Sequence, residues 1–193
     1  MAKAKKRRVR DTWKEKSWFT IKTPDIFPEK DIGETPSKDP DFLLGRRVDL
    51  TMRELTGDFS KQYIKLKLEV NDVVGSIAKT KFIGHQVTSD YVRSMIRRGS
   101  SRIDAHIFVK TRDNVKVKLH VLAITTRRAK SSQKKFMRET IINLVEKAAK
   151  ERSFEDIIET SVNGRFSSEI YHKAKKIYPL KRVEIVKSKI FDN

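Results

Sequence analysis

Four histidines, His85, His106, His120 and His172, are with the carboxylates the only side chains suited to acid–base or metal chemistry. Cysteine is absent, so neither a disulfide framework nor a thiolate metal site can form. His106 and His120 fall in two alternating segments that read as a hairpin, on one face with Asp104, and a metal-dependent nuclease centre can be imagined from those three. The plainer reading is a polar sheet surface. No glycine-rich phosphate loop, serine elbow or His-Glu-x-x-His occurs, and the seven glycines are scattered. The expectation is a protein that is not an enzyme and uses no metal or cofactor.

Charge is the stronger signal. With 44 Lys plus Arg against 25 Asp plus Glu, the chain carries +19 over 193 residues, enough self-repulsion to call for a polyanion. Nucleic acid is the default partner, because each cation placed at a phosphate releases condensed counterions. An anionic membrane is the competitor, but no apolar run approaches 18 residues and the basic N-terminus has no hydrophobic segment behind it. A cytosolic protein without membrane contact is therefore expected.

The basic residues cluster. An N-terminal arm carries Lys3, Lys5, Lys6, Arg7, Arg8 and Arg10, and residues 1–22 hold nine basic against two acidic side chains. A second group is Arg93, Arg97, Arg98 and Arg102. A third, Arg127, Arg128, Lys130, Lys134, Lys135 and Arg138, joins the last hairpin strand to a long helix, where Arg can fork onto phosphate oxygens and a helix N-terminus adds backbone donors. All three groups, with Lys116 and Lys118 on the hairpin, are candidate RNA contacts. The alternatives are a localisation signal for the arm and simple solvation for the others.

The elements that must carry these residues follow from periodicity. Residues 1–17 read as a basic arm, disordered to about residue 12 and ordering on RNA. Residues 18–126 read as a β-rich core, with a loop at 23–45 that reverses the sign of charge and contains Pro24, Pro28, Pro36 and Pro40. Trp13, Trp18, Phe19, Phe27 and Phe42 could pin that loop to a core. Period two appears in Val48, Leu50, Met52 and in Ile64, Leu66, Leu68, Val70. A short helix is expected over Ser89 to Arg98, capped by Ser89 and stopped by Gly99.

Arg102 to Thr126 reads as the hairpin. A two-residue turn at Asp113-Asn114 would mix polar and apolar residues on both faces, whereas a three- or five-residue loop centred on Asn114 pairs Val109 with Leu119 and Ile107 with Val121. The opposite face then carries His106, Phe108, Lys110, Arg112, Lys116, Lys118 and His120. Residues 127–193 read as a helical C-terminal part: a helix from near Ser132, another after Ser153 with a Ser153/Asp156 capping box, a third ended by Pro179, and a last strand over Val183 to Ile190. The predicted fold is α+β, a mainly antiparallel sheet curled toward a barrel, then helices.

Read in order, the segments KSWFTIKTPDIF, GRRVDLTMRELTGD, Lys67-Leu68-Glu69-Val70 into Asp72-Val73, KFIGHQVTSDYVRSMIRR, IDAHIFVKTRDN, TTRRAKSSQ and IYPLKRVEI resemble the S-three-A-e family of archaeal and eukaryotic small-subunit ribosomal proteins, also called eS-one. The resemblance runs over nearly the whole chain, and the length is similar to that of the archaeal members. It implies a structural role in the cytoplasmic small ribosomal subunit, on the platform near the messenger RNA exit. The implied partners are the 3′ region of the small-subunit ribosomal RNA and neighbouring ribosomal proteins, with messenger RNA and initiation factors close by. The family has no active-site residues to carry over. A free RNA chaperone or translation regulator would show the same composition.

Overall fold

Alternation of large apolar and charged residues builds eight strands, and a computed structural model describes residues 13–191. The N-terminal half holds β1 (Ser17–Lys22), β2 (Asp31–Ser37), β3 (Arg47–Thr51), α1 (Met52–Thr56), β4 (Ile64–Val74), β5 (Ile77–Val87) and α2 (Ser89–Met95). It is followed by β6 (Arg102–Lys110), β7 (Lys116–Thr125), α3 (Ser131–Glu151), α4 (Phe154–Val162), α5 (Arg165–Ala174) and β8 (Leu180–Phe191). The class is α+β. Eight strands form one open mixed sheet in the order β2-β1-β5-β8-β7-β6, with β4 on β5 and β3 on β4.

The barrel anticipated from the sequence does not close: β2 and β6 are the two ends of that order. Both ends carry features that blunt an edge, Pro36 in β2 and the outward charges Arg102 and Lys110 in β6, so closure is not needed to protect them.

The chain divides into two compact units, one of the residues up to Arg47 with Glu69–Lys81, the other of Val48–Leu68 with the residues from Phe82 onward. In the first, β1 pairs antiparallel with β2, Trp18 opposite Pro36, and parallel with the start of β5, Thr20 opposite Ile77. Residues 31–37 thus form an edge strand inside the segment expected to be a loop, because proline is tolerated at an edge. Residues 23–30 remain a loop, tied by the Thr23 hydroxyl, which donates to the Pro28 carbonyl and accepts from the Lys30 N–H. Phe19 and Phe27 are buried as anticipated, but Trp13, Trp18 and Phe42 are exposed. Period two in β1 sends Phe19 and Ile21 inward and Trp18 outward.

In the second unit, one core joins the inward residues of β6, β7 and β8 to Met137, Ile141, Val145 and Ala149 of α3 and to Phe166, Ile170 and Ala174 of α5. The helices after residue 127 thus share one core with the hairpin. Ser153 caps α4 by accepting from the Asp156 N–H, as its spacing indicated. Met52, read as a strand position, instead begins α1, whose start is fixed by a Thr51/Glu54 capping box. The α2 helix ends at Met95, short of Arg98, and its N-cap is Thr88.

The β6–β7 hairpin keeps the anticipated apolar face but not the anticipated partners. Val109 lies opposite Val117 and Ile107 opposite Leu119. The loop has three residues, 112–114, centred on Asp113, and Asn114 occupies its last position at φ 63°. Asn tolerates that left-handed conformation, which a three-residue loop requires after its turn.

β8 is held against β5 at a tight junction. A Cβ on Gly84 would lie 2.3 Å from the Ser188 carbonyl oxygen, so only glycine lets the strands approach. Beside it His85 is buried: Nε2 donates to the Ile185 carbonyl at 3.1 Å, and Nδ1 accepts from the Ser188 hydroxyl at 2.7 Å. Burial holds the imidazole neutral and lowers its pKa to about 4. A basic group with a depressed folded pKa contributes its full stability above its unfolded value near 6.5 and loses it as pH falls toward 4, about 3 kcal/mol in all. Resistance to urea should therefore fall as pH drops through that window, and His85→Gln should flatten the dependence. Gly84→Ala should lower stability by about 1–3 kcal/mol at every pH.

Candidate nucleic-acid interface

Every basic residue between 93 and 138 singled out from the sequence lies in the second unit, and the structure distributes them over three places. Lys3, Lys5, Lys6, Arg7, Arg8 and Arg10 lie outside the described residues.

The first place is the end of α2. Arg93, Arg97 and Arg98 are exposed there, and the turn after the helix is closed by Ser100, whose hydroxyl donates to the Arg97 carbonyl. The helix's other side, Val92 and Met95, packs on Leu122 and Ile124 of β7. α2 thus covers part of the β7 surface that faces away from α3.

The second is the connection from β7 to α3. Its backbone is clamped: the Thr126 N–H donates to the Pro179 carbonyl, the Thr125 hydroxyl to the Arg127 carbonyl, and the Tyr178 hydroxyl to the Arg128 carbonyl. The buried Ala129 N–H donates to the Ser101 hydroxyl at 3.0 Å. Arg127, Arg128 and Lys130 project from this frame, exposed and without an ion-pair partner among the described residues. Preformed backbone means that an anion bound there need not order the chain first. Lys134, Lys135 and Arg138 continue along the first turns of α3, where Lys135 reaches Glu139 at 4.0 Å, a weak exposed pair.

The third is the outward face of β6, β7 and β8. Arg102 grips the Asp104 carboxylate through Nε and Nη2, His120 Nε2 donates to it at 2.9 Å, and Arg138 Nε donates to the Asp104 carbonyl. Burial opposes the charge on Asp104, but the Arg102 and His120 hydrogen bonds outweigh it and hold its pKa below the usual carboxylate value. Arg102 is thereby largely neutralised. His106 and His120 are directly opposite, not diagonal, and their rings stack at 4.1 Å. Burial lowers the His120 pKa, the neighbouring His106 adds to that, and Asp104 only partly offsets it.

Beyond the histidines, register sets Lys118 opposite Lys189 and His120 opposite Lys187. A groove of about 270 Å³ is lined by His106, Lys118, His120, Lys187, Lys189 and Phe191. Lys187, Lys189 and Phe191 were not among the residues singled out from the sequence. The signal was present in their alternation within the last strand, but only the β7–β8 register brings them beside Lys118. Lys116 lies opposite Phe191 at the end of the same pairing.

The Ribosomal S3Ae family matches residues 4–193. The chain belongs to that family. Among its relatives, the small ribosomal subunit protein eS1 of Methanobrevibacter smithii is 67% identical over 193 residues, covering all of both chains. The protein of the same name from Methanothermobacter thermautotrophicus is 64% identical, covering all of this chain and 98% of its own. That of Haloarcula marismortui is 44% identical, with 94% of this chain and 85% of the relative covered. The Asp104, His106 and His120 group consequently stands in a structural, non-catalytic family.

The clamp on the β7–α3 connection can be tested directly. Ser101→Ala should leave the Ala129 N–H buried and unpaired, lower stability by about 1–3 kcal/mol, and speed amide hydrogen exchange at residues 126–130 more than in α3.

Proposed function

We propose that the chain is a structural component of the cytoplasmic small ribosomal subunit that binds ribosomal RNA through its second unit and its N-terminal arm and catalyses no reaction. Family membership supports the ribosomal role. The observation that carries the RNA reading is the clamped connection holding Arg127, Arg128 and Lys130 outward with no ion-pair partner among the described residues. Cations fixed in this way gain from counterion release without a compensating loss of chain entropy.

The remaining proposed contacts are Lys3, Lys5, Lys6, Arg7, Arg8 and Arg10 on the arm, Arg93, Arg97, Arg98 and Arg102, Lys116 and Lys118, and Lys134, Lys135 and Arg138. Among these Arg102 is the weakest, since Asp104 already holds its guanidinium. The resemblance to the family further supports a place on the platform near the messenger RNA exit, beside the 3′ region of the RNA, with messenger RNA and initiation factors in reach. The acidic segment 23–45 would be repelled by phosphate and so faces solvent or a basic protein neighbour.

Replacing Arg127, Arg128 and Lys130 together by Ala should weaken binding to small-subunit RNA and reduce the slope of log affinity against log salt by roughly two to three. Titration at several salt concentrations measures both. A slope equal to that of the unchanged protein would refute the assignment of this connection.

A further inference from the structure

The outward face of β6, β7 and β8 differs from a plain basic patch in carrying exposed rings among its cations. Phe108 is 68% exposed and Phe191 38%, with ring centroids 6.0 Å apart. Lys118 Nζ lies 4.7 Å above the Phe108 ring and Lys189 Nζ 4.9 Å above that of Phe191. The stacked His106 and His120 rings continue the aromatic surface along the groove. Two exposed phenylalanines this close ask for a cover that water does not supply.

We propose that this face binds single-stranded RNA, with bases stacked on Phe108 and Phe191 and the neighbouring phosphates met by Lys118, Lys187 and Lys189. The inference rests on the reading of the second unit as RNA-binding and specifies what kind of RNA this face takes. An A-form duplex keeps its bases stacked inside and offers only phosphates and 2′-hydroxyls to a flat surface, so it has no use for the rings. Unpaired bases do, and every base has a face to stack.

A protein neighbour is the less suitable cover, because lysine is depleted from protein interfaces while three lysines border these rings. The lysines that now lie over the phenylalanines make exposed cation–π contacts, which are weaker than base stacking. A base can therefore displace the ammonium groups, which remain on their flexible stems beside the rings and in reach of the flanking phosphates. Phe108 and Lys118 are cross-strand partners, as are Lys118 and Lys189, so the pairing of three strands fixes the order of rings and charges.

The test uses the full chain with two probes, unstructured oligouridylate and a blunt RNA duplex. Phe108→Ala with Phe191→Ala should weaken oligouridylate binding by roughly ten- to a hundredfold while leaving duplex affinity and the salt slope unchanged. Phe108→Tyr with Phe191→Tyr should restore it, which separates ring loss from misfolding. Equal losses on both probes, or no loss on oligouridylate, would overturn the stacking proposal. Lys118→Ala, Lys187→Ala and Lys189→Ala together should weaken both probes and flatten their salt dependence. Unchanged binding of both probes by that lysine variant would remove this face from the RNA reading itself. Retained losses in the lysine variant with none in the phenylalanine variant would leave a phosphate-binding face and reject stacking.

Discussion

The pairing of β6, β7 and β8 is the constraint on which both the stability and the chemistry of the second unit depend. In each strand the side chains alternate, so a single register decides which set meets α3 and α5 and which set meets solvent. A slip of one residue would bury Lys118 and His120 and expose Leu119 and Val121. The apolar penalty of that slip is large, and it protects the arrangement of the outward charges. The Gly84 approach and the His85–Ser188 hydrogen bonds fix β8 from the other side. Charge placement on the surface is thus enforced by hydrophobic burial beneath it.

The same unit has to tolerate its own repulsion. Few of its cations are neutralised internally, and the clearest neutralisation, at Asp104, gathers Arg102 and His120 on one carboxylate while Arg138 takes the carbonyl of the same residue. Two histidines that could add charge are instead kept toward the neutral form by burial, His85 wholly inside and His120 half covered. The remaining exposed Lys and Arg side chains suit the external polyanion proposed above. A protein so arranged gains more from binding phosphate than from pairing within itself, since exposed internal ion pairs contribute little.

Much of this was legible in local pattern. Period two located the hairpin and its apolar face, and the 3.6 period located three helices, with the Ser153/Asp156 cap read correctly. What failed were features that local pattern underdetermines. Loop register turned on Asn114 accepting a left-handed conformation at the end of the loop rather than at its centre. Pro36 argued against a central strand, and β2 is an edge strand, so the loop assignment of 31–37 went further than proline requires. The Thr51-x-x-Glu54 cap was present but masked by the apolar alternation of Val48, Leu50 and Met52.

The outward site was less legible for a different reason. Its residues come from β6, β7 and β8, and β8 reaches β7 only after three helices have intervened. Lys187 and Phe191 look like ordinary alternating strand residues until a long-range pairing sets them beside His120 and Lys116. Forming that pairing closes a long loop, which is entropically expensive and comes late relative to local hairpin formation. The β6–β7 hairpin alone can present Phe108 and Lys118, but the paired rings and the row of lysines exist only once β8 has docked between β5 and β7. The combination of rings and charge proposed for RNA is therefore a property of the completed sheet, present only in the folded protein.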